Sequence, residues 1–323
     1  MVTNSNVFSI NLLADLQQMF QYQFMQHAFE AGTIVAIVAG IVGYFVVLRH
    51  SSFAAHALSH IGFAGAAGAV LVGLNPLFGL LTFTSGGGIG MALLGPRAVN
   101  RDVQIGTVLA FMLGLGVLFI SLYTGYATEA YSILFGEILG ISSNDVIVTM
   151  AASVIILTAV AVVYRPLLFS SLDEDVAEAK GISMQMLGVI FMILVALATS
   201  MAVQVVGVLL IFSLMVTPAA IAQRLAKKSR SVIVISVLIA LMATWSSLFI
   251  AFYEPYPVSF FITSIVFASY LFIRFVYPSR ICLVCRQKFS GIYLSKHLEK
   301  KHPTTIQLDS KSADRKIADD HHH

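Results

Sequence analysis

Long apolar runs almost free of charge recur along this chain from residue 28 to residue 277, and nothing else constrains the fold as much. They fall at 28–48, 53–74, 77–95, 104–124, 145–164, 184–203, 207–222, 231–252 and 257–277. Most are close to the ~20 residues that a helix rising ~1.5 Å per residue needs to cross a ~30 Å hydrocarbon core. Backbone polar groups in lipid have to be bonded within the segment, so the expected fold is all-α, a polytopic transmembrane helical bundle of eight or nine spans. Composition agrees: 58% of residues are hydrophobic and 11% charged, against about 25% charged in soluble domains. Over 184–222 a tight reversal near Gln204 to Gly207 must separate two spans, or a partly re-entrant segment changes the number.

Basic residues lie only in alternate loops: Arg49, then Arg97 and Arg101, then Arg165 and Lys180, then Arg224, Lys227, Lys228 and Arg230, then Arg274 and Arg280. Under the positive-inside rule this places the N-terminus outside and the C-terminus in the cytoplasm. Residues 1–27 contain no Lys or Arg and so lack the basic start of a signal peptide. They are expected to form an interfacial segment ahead of a transmembrane domain over 28–277. Residues 130–141 are apolar but too short to cross, and read as interfacial or re-entrant. Residues 166–182 open on Pro166, carry Asp173, Glu174, Asp175 and Glu178, and close on Gly181, the pattern of a short cytoplasmic helix capped by Ser171 or Asp173.

Gly62, Gly65 and Gly68 give the second span a small-residue face on which a neighbouring helix can settle. Gly86, Gly87, Gly88 and Gly90 have the look of a phosphate loop, but the chain has no GxxxxGK[ST] run, so they are read as packing or hinge glycines. ATP hydrolysis by a P-loop of its own is excluded, and the chain is not read as an enzyme.

His56 and His60 stand four residues apart within the second span, on one helical face. Ionisable groups at membrane depth usually mark the route of whatever is moved, and an imidazole pair makes a metal ion the first suspect. Glu30, at the outer end of the first span, is a candidate entry carboxylate, and Glu129, Glu137 and Asp145 would make the outer face acidic. His27 and His50 lie at span boundaries. Pro218 in the seventh span leaves the carbonyl of Leu214 without its helical donor, and with Thr217 it marks a candidate kink or path-lining turn.

Four motifs, in order, carry a family resemblance: VLRHSSFAAHALSHIGFAGAA (47–67), LFGEIL (134–139), SLDEDVAEAKGI (171–182) and VGVLLIFSLMVTPAAIA (206–222). Over about residues 20–277 the chain resembles the permease subunits of ATP-binding-cassette importers for zinc, manganese or iron. The resemblance implies a prokaryotic cytoplasmic-membrane protein that pairs with a second permease copy or a paralogue. It also implies metal delivery by an extracytoplasmic binding protein and a separate ATPase docked against 171–182. In that family the second span usually offers an Asp and a His to the ion; here His56 occupies the Asp position. Carboxylate and water suit manganese while imidazole suits zinc, so the exchange tilts the expected cargo towards zinc. The alternative is a stand-alone metal channel or proton-coupled transporter, which would have no use for a docking helix.

The tail, residues 278–323, carries a separate signal. CLVCRQKFSGIYLSKHLEKKH (282–302) sets Cys282, Cys285, His297 and His302 close to zinc-finger spacing, with Phe289 and Leu294 placed as a small apolar core. On the reducing side of the membrane metal ligation is favoured over a disulfide. A zinc ion there is the one cofactor expected; the alternative is a basic segment held to anionic lipid. No nucleic-acid partner is indicated.

Overall fold

The computed structural model describes residues 17–93, 101–123, 136, 138–254, 256–276, 279–281 and 288–290. The helices are α1 (Gln23–Leu48), α2 (Ser52–Leu71), α3 (Pro76–Leu93), α4 (Arg101–Leu122), α5 (Ser143–Leu172), α6 (Glu174–Ala179), α7 (Met184–Val206), α8 (Val208–Leu225), α9 (Ser229–Tyr253) and α10 (Val258–Val276). Among the described residues eight of these, α1 to α5, α7, α9 and α10, are long and apolar enough to cross a bilayer, and α8 carries a shorter apolar stretch. The chain divides into two compact units, residues 1–267 and 268–323. The second contains two short antiparallel strands, β1 (Ser279–Ile281) and β2 (Lys288–Ser290), with Ile281 opposite Lys288.

The first unit is a bundle with α2 at its centre: 72% of the most apolar stretch of α2 is buried, against 11% for α4. Small residues make this possible. Gly65 of α2 and Gly79 of α3 meet backbone to backbone, each carbonyl lying where a Cβ on the other glycine would go. Gly62 packs on Thr84 and Leu80 of α3, and Gly68 on Phe119 of α4, so the expected small-residue face is shared between two neighbours. The glycine run of α3 lies within the helix; Gly87 packs on Ile61 and Gly88 on Met192, while Gly86 and Gly90 face open space. A buried hydroxyl pair, Thr84 and Ser200 at 2.7 Å, joins α3 to α7.

Three helix ends share one geometry. After α1, the amide of His50 donates to Val47 O and that of Ser51 to Val46 O; Gly73 and Leu74 repeat the pattern after α2, and Gly181 and Ile182 after α6. This is the Schellman arrangement, whose turning residue adopts the left-handed region. Gly73 (φ 75°) and Gly181 (φ 81°) do so without strain, whereas His50 (φ 53°) does so with a side chain.

Two boundaries differ from the sequence reading, and two others settle what it left open. α1 begins at Gln23 and takes in residues expected to precede the first span. Pro166 does not end α5, which runs 30 residues to Leu172; burial of Leu167 and Ser170 holds the turn that follows the proline. The cap of α6 is Asp173, whose Oδ1 accepts from Val176 N at 3.0 Å, while Ser171 donates back to Leu167 O. Finally, no loop separates α7 from α8: Gly207 alone (φ 85°, ψ 162°) breaks the helix. Against that break packs Gly136, itself at φ 75°, with Ile138 and Ile141 buried beside it, so the end of the 130–141 segment enters the bundle.

Candidate metal path

His56 and His60 are brought together as the spacing requires. Their rings meet edge to face with centroids 4.7 Å apart, and the His56 ring lies 4.8 Å from that of Phe212 on α8. Both are half-buried, and the Nδ1 atom of each is buried without a hydrogen-bond partner. A packed imidazole normally satisfies its ring nitrogens on a backbone carbonyl or a hydroxyl, because a buried unsatisfied polar atom costs about 1–3 kcal/mol. Ser59, between the two, spends its hydroxyl on Ala55 O instead. Two aligned imidazoles with unpartnered nitrogens are what a cation needs and what an inert helix face lacks. Among the described residues no group of three or more His, Cys, Asp or Glu converges, so one copy of the chain supplies a pair of ligands rather than a closed cage.

Glu30 does not join this pair. It is exposed on α1, 18 residues before the end of that helix, which at ~1.5 Å per residue is about 27 Å of rise. Near it, His27 Nδ1 donates to Ile141 O at 3.2 Å and Nε2 lies 3.2 Å from Ser143 Oγ, tying α1 to the start of α5. Asp145 is used structurally: it closes a capping box with Ser142 and accepts from Gln204 Nε2 at 3.4 Å. It also lines a cavity of about 210 Å³ with Asn75 and Gln204.

The acidic motif forms α6, with Asp175 and Glu178 exposed, Glu174 partly covered and Gly181 closing the turn. Ala177 is fully buried inside the chain, which removes it from any docking surface. Pro218 is buried in the middle of α8, with Thr217 partly exposed; one turn earlier, Gly43 of α1 lies against the carbonyl of Met215. Glu129, Glu137, Cys282, Cys285, His297 and His302 lie outside the described residues.

Two participants escaped the sequence reading. Phe212 had no signal beyond being apolar. Arg49 was read only as a loop charge, yet its guanidinium donates to Ser170 Oγ at 2.8 Å and Ser171 Oγ at 3.4 Å and lies 5.2 Å from the ring centre of Phe191.

Residues 21–277 match the ABC 3 transport family. The chain is 34% identical over 222 residues to the manganese transport system membrane protein MntC of Listeria monocytogenes, covering 68% of this chain and 79% of that protein. It is 30% identical over 238 residues to the manganese import system permease protein ScaB of Streptococcus gordonii, covering 73% and 85%. The solved structure of PsaBC from Streptococcus pneumoniae in complex with Fab superposes with a TM-score of 0.73 at 29% identity, over 82% of this chain and 96% of that one. With a family match spanning the whole bundle and both histidines, the chain belongs to the ABC 3 transport family and is a multi-pass membrane permease.

Proposed function

We propose that this chain is the membrane-spanning subunit of an ABC importer for a divalent transition metal, manganese first, and that His56 and His60 line the path. The observation that carries the reading is the pair of buried, unpartnered Nδ1 atoms on the central helix. The charge pattern orients the bundle with its N-terminus outside, so the α1–α2 corner and α6 face the cytoplasm. ATP hydrolysis belongs to a separate subunit docked on the exposed acids of α6, and a binding protein delivers the metal from outside. A second copy or a paralogue supplies the remaining ligands; two facing pairs would offer four imidazoles.

The tilt towards zinc gives way here. The relatives are named for manganese, and the two imidazoles leave the rest of the coordination sphere open, so water or oxygen donors can complete a site acceptable to manganese. Manganese uptake in cells lacking their own importer tests the reading. The wild-type chain, expressed with its ATPase and binding protein, should restore uptake, and the His56→Ala/His60→Ala double variant should lose at least tenfold of it at equal membrane abundance. Undiminished uptake in the double variant would refute the path. Uptake without the ATPase would favour the stand-alone transporter.

The tail supports a separate proposal. Cys282 and Cys285 stand in CxxC spacing, in sequence between the paired strands β1 and β2. With His297 and His302 they would bind one zinc ion. The full-length protein should carry one more zinc equivalent than a Cys282→Ser/Cys285→Ser variant; equal zinc in both would refute the site.

A further inference from the structure

We propose that Arg49 is the positioning residue that joins the docking helix α6 to the histidine-bearing helix α2, so that the two move together. The inference rests on the importer reading above. Arg49 sits at the corner between α1 and α2, three residues before Ser52 opens α2. Its side chain leaves that corner and ends on α5: Ser170, fully buried, accepts at 2.8 Å, and Ser171 accepts at 3.4 Å. Asp173, the cap of α6, follows two residues later. The guanidinium plane rests 5.2 Å from the Phe191 ring of α7, the helix that follows α6 in the chain. One side chain therefore ties the start of α2 to both flanks of α6.

The corner is built to pass on a displacement rather than absorb it. The paired amide bonds of His50 and Ser51 fix its backbone, Ser51 Oγ donates to Arg49 O at 3.2 Å, and His50 is held at φ 53°. A residue with a side chain persists in that region only where its surroundings over-determine it. Next to the corner lies a cavity of about 110 Å³, lined by Arg49, Ser51, Ser171, Glu174, Gly188 and Met192. The corner and the first residue of α6 thus share a gap, not a filled interface, and Arg49 reaches past it to Ser170 and Ser171 of α5. His56 follows Ser52 by about one helical turn, so a tilt imposed at Arg49 reaches the imidazole pair through ~6 Å of rigid helix. Shifting packed helices as rigid pieces is a common route for such motion. Both bonds come from one nitrogen, Nη1, and a lysine ammonium could imitate them; what lysine lacks is the planar guanidinium that lies over the Phe191 ring.

The test uses the complete importer in liposomes, permease with its ATPase and binding protein, measuring manganese moved and ATP hydrolysed in the same vesicles. Arg49→Ala should assemble and hydrolyse ATP while manganese moved per ATP falls about tenfold or more. Arg49→Lys should fall between it and wild type, and Ser170→Ala/Ser171→Ala should lower the ratio in the same direction. Combining Arg49→Ala with the serine changes should add little, because all act on one connection. An unchanged ratio in Arg49→Ala, or losses that multiply in the combination, would overturn the proposal. If Arg49→Ala does not assemble, the Lys and serine variants decide by the same ratio. A wild-type complex that moves no metal with ATP would refute the importer reading itself, a result distinct from wild type and variants coupling equally well.

Discussion

Replacing Gly65 with alanine should push the histidine-bearing helix off its principal neighbour. A Cβ at Gly65 would meet the Gly79 carbonyl oxygen, the Phe83 Cβ at 2.6 Å and the Gly79 carbonyl carbon at 2.8 Å. Two of these three are backbone atoms, which cannot rotate away as a side-chain tip can. Restoring an ordinary separation of about 3.6 Å from Phe83 Cβ requires α2 and α3 to part by roughly 1 Å, and a gap of that size forfeits a quarter to a half of each ~0.1–0.2 kcal/mol contact across the crossing. With a few dozen such atom pairs the loss is about 1–3 kcal/mol, the range measured for overpacked cores. For a chain of this size that corresponds to a fall of about 1–5 °C in Tm. Gly79→Ala meets the matching obstacle, Gly65 carbonyl carbon at 2.6 Å and Ala69 Cβ at 2.7 Å, and should behave alike. Gly86→Ala is the control: it lies in the same helix α3 with nothing within 4 Å, so it should be neutral or stabilising. The assay is the temperature at which purified protein in nanodiscs loses its monodisperse chromatographic peak. If Gly65→Ala and Gly79→Ala unfold with wild type, or no lower than Gly86→Ala, the backbone-contact argument is wrong.

Other outcomes follow from the same geometry. His50→Gly should raise or hold the unfolding temperature by relieving a left-handed residue, and His50→Val should lower it by the equivalent of about 1–2 kcal/mol, both read in the nanodisc assay. Asp173→Ala removes the α6 cap, a loss of about 1 kcal/mol, and should weaken copurification with the ATPase, whereas Asp173→Ser should retain it. Charge reversal at the exposed Asp175 and Glu178 should reduce copurification without loss of membrane abundance; a normal pull-down would move the docking surface elsewhere. His56→Asp should favour manganese over zinc in competition uptake, and a shift towards zinc would contradict the ligand argument.

Much of the fold was legible because lipid leaves a chain few choices. The apolar runs marked the long helices, Gly62, Gly65 and Gly68 marked the face against which α3 and α4 pack, and Asp173 with Gly181 bracketed α6. What escaped depends on partners distant in sequence. Nothing near Pro166 announces that burial of Leu167 and Ser170 will carry α5 onward, and nothing near Gly207 announces that Gly136 will pack against the one-residue break there. The histidine pair was legible as a pair, since helical spacing alone aligns it. That its Nδ1 atoms have no partner was not, because that depends on which groups α8 and α3 bring near. Arg49 was invisible for a related reason: its serines lie more than a hundred residues away, and a basic residue at a span end is ordinarily a solvated anchor.

The central claim is that His56 and His60 touch the metal. X-ray absorption at the manganese edge, on the assembled importer loaded with substoichiometric manganese, reads that contact directly. The account predicts imidazole nitrogen in the coordination sphere of the wild-type complex, and its loss in the His56→Ala/His60→Ala variant. An oxygen-only sphere, or a spectrum unchanged by removing both imidazoles, would contradict it.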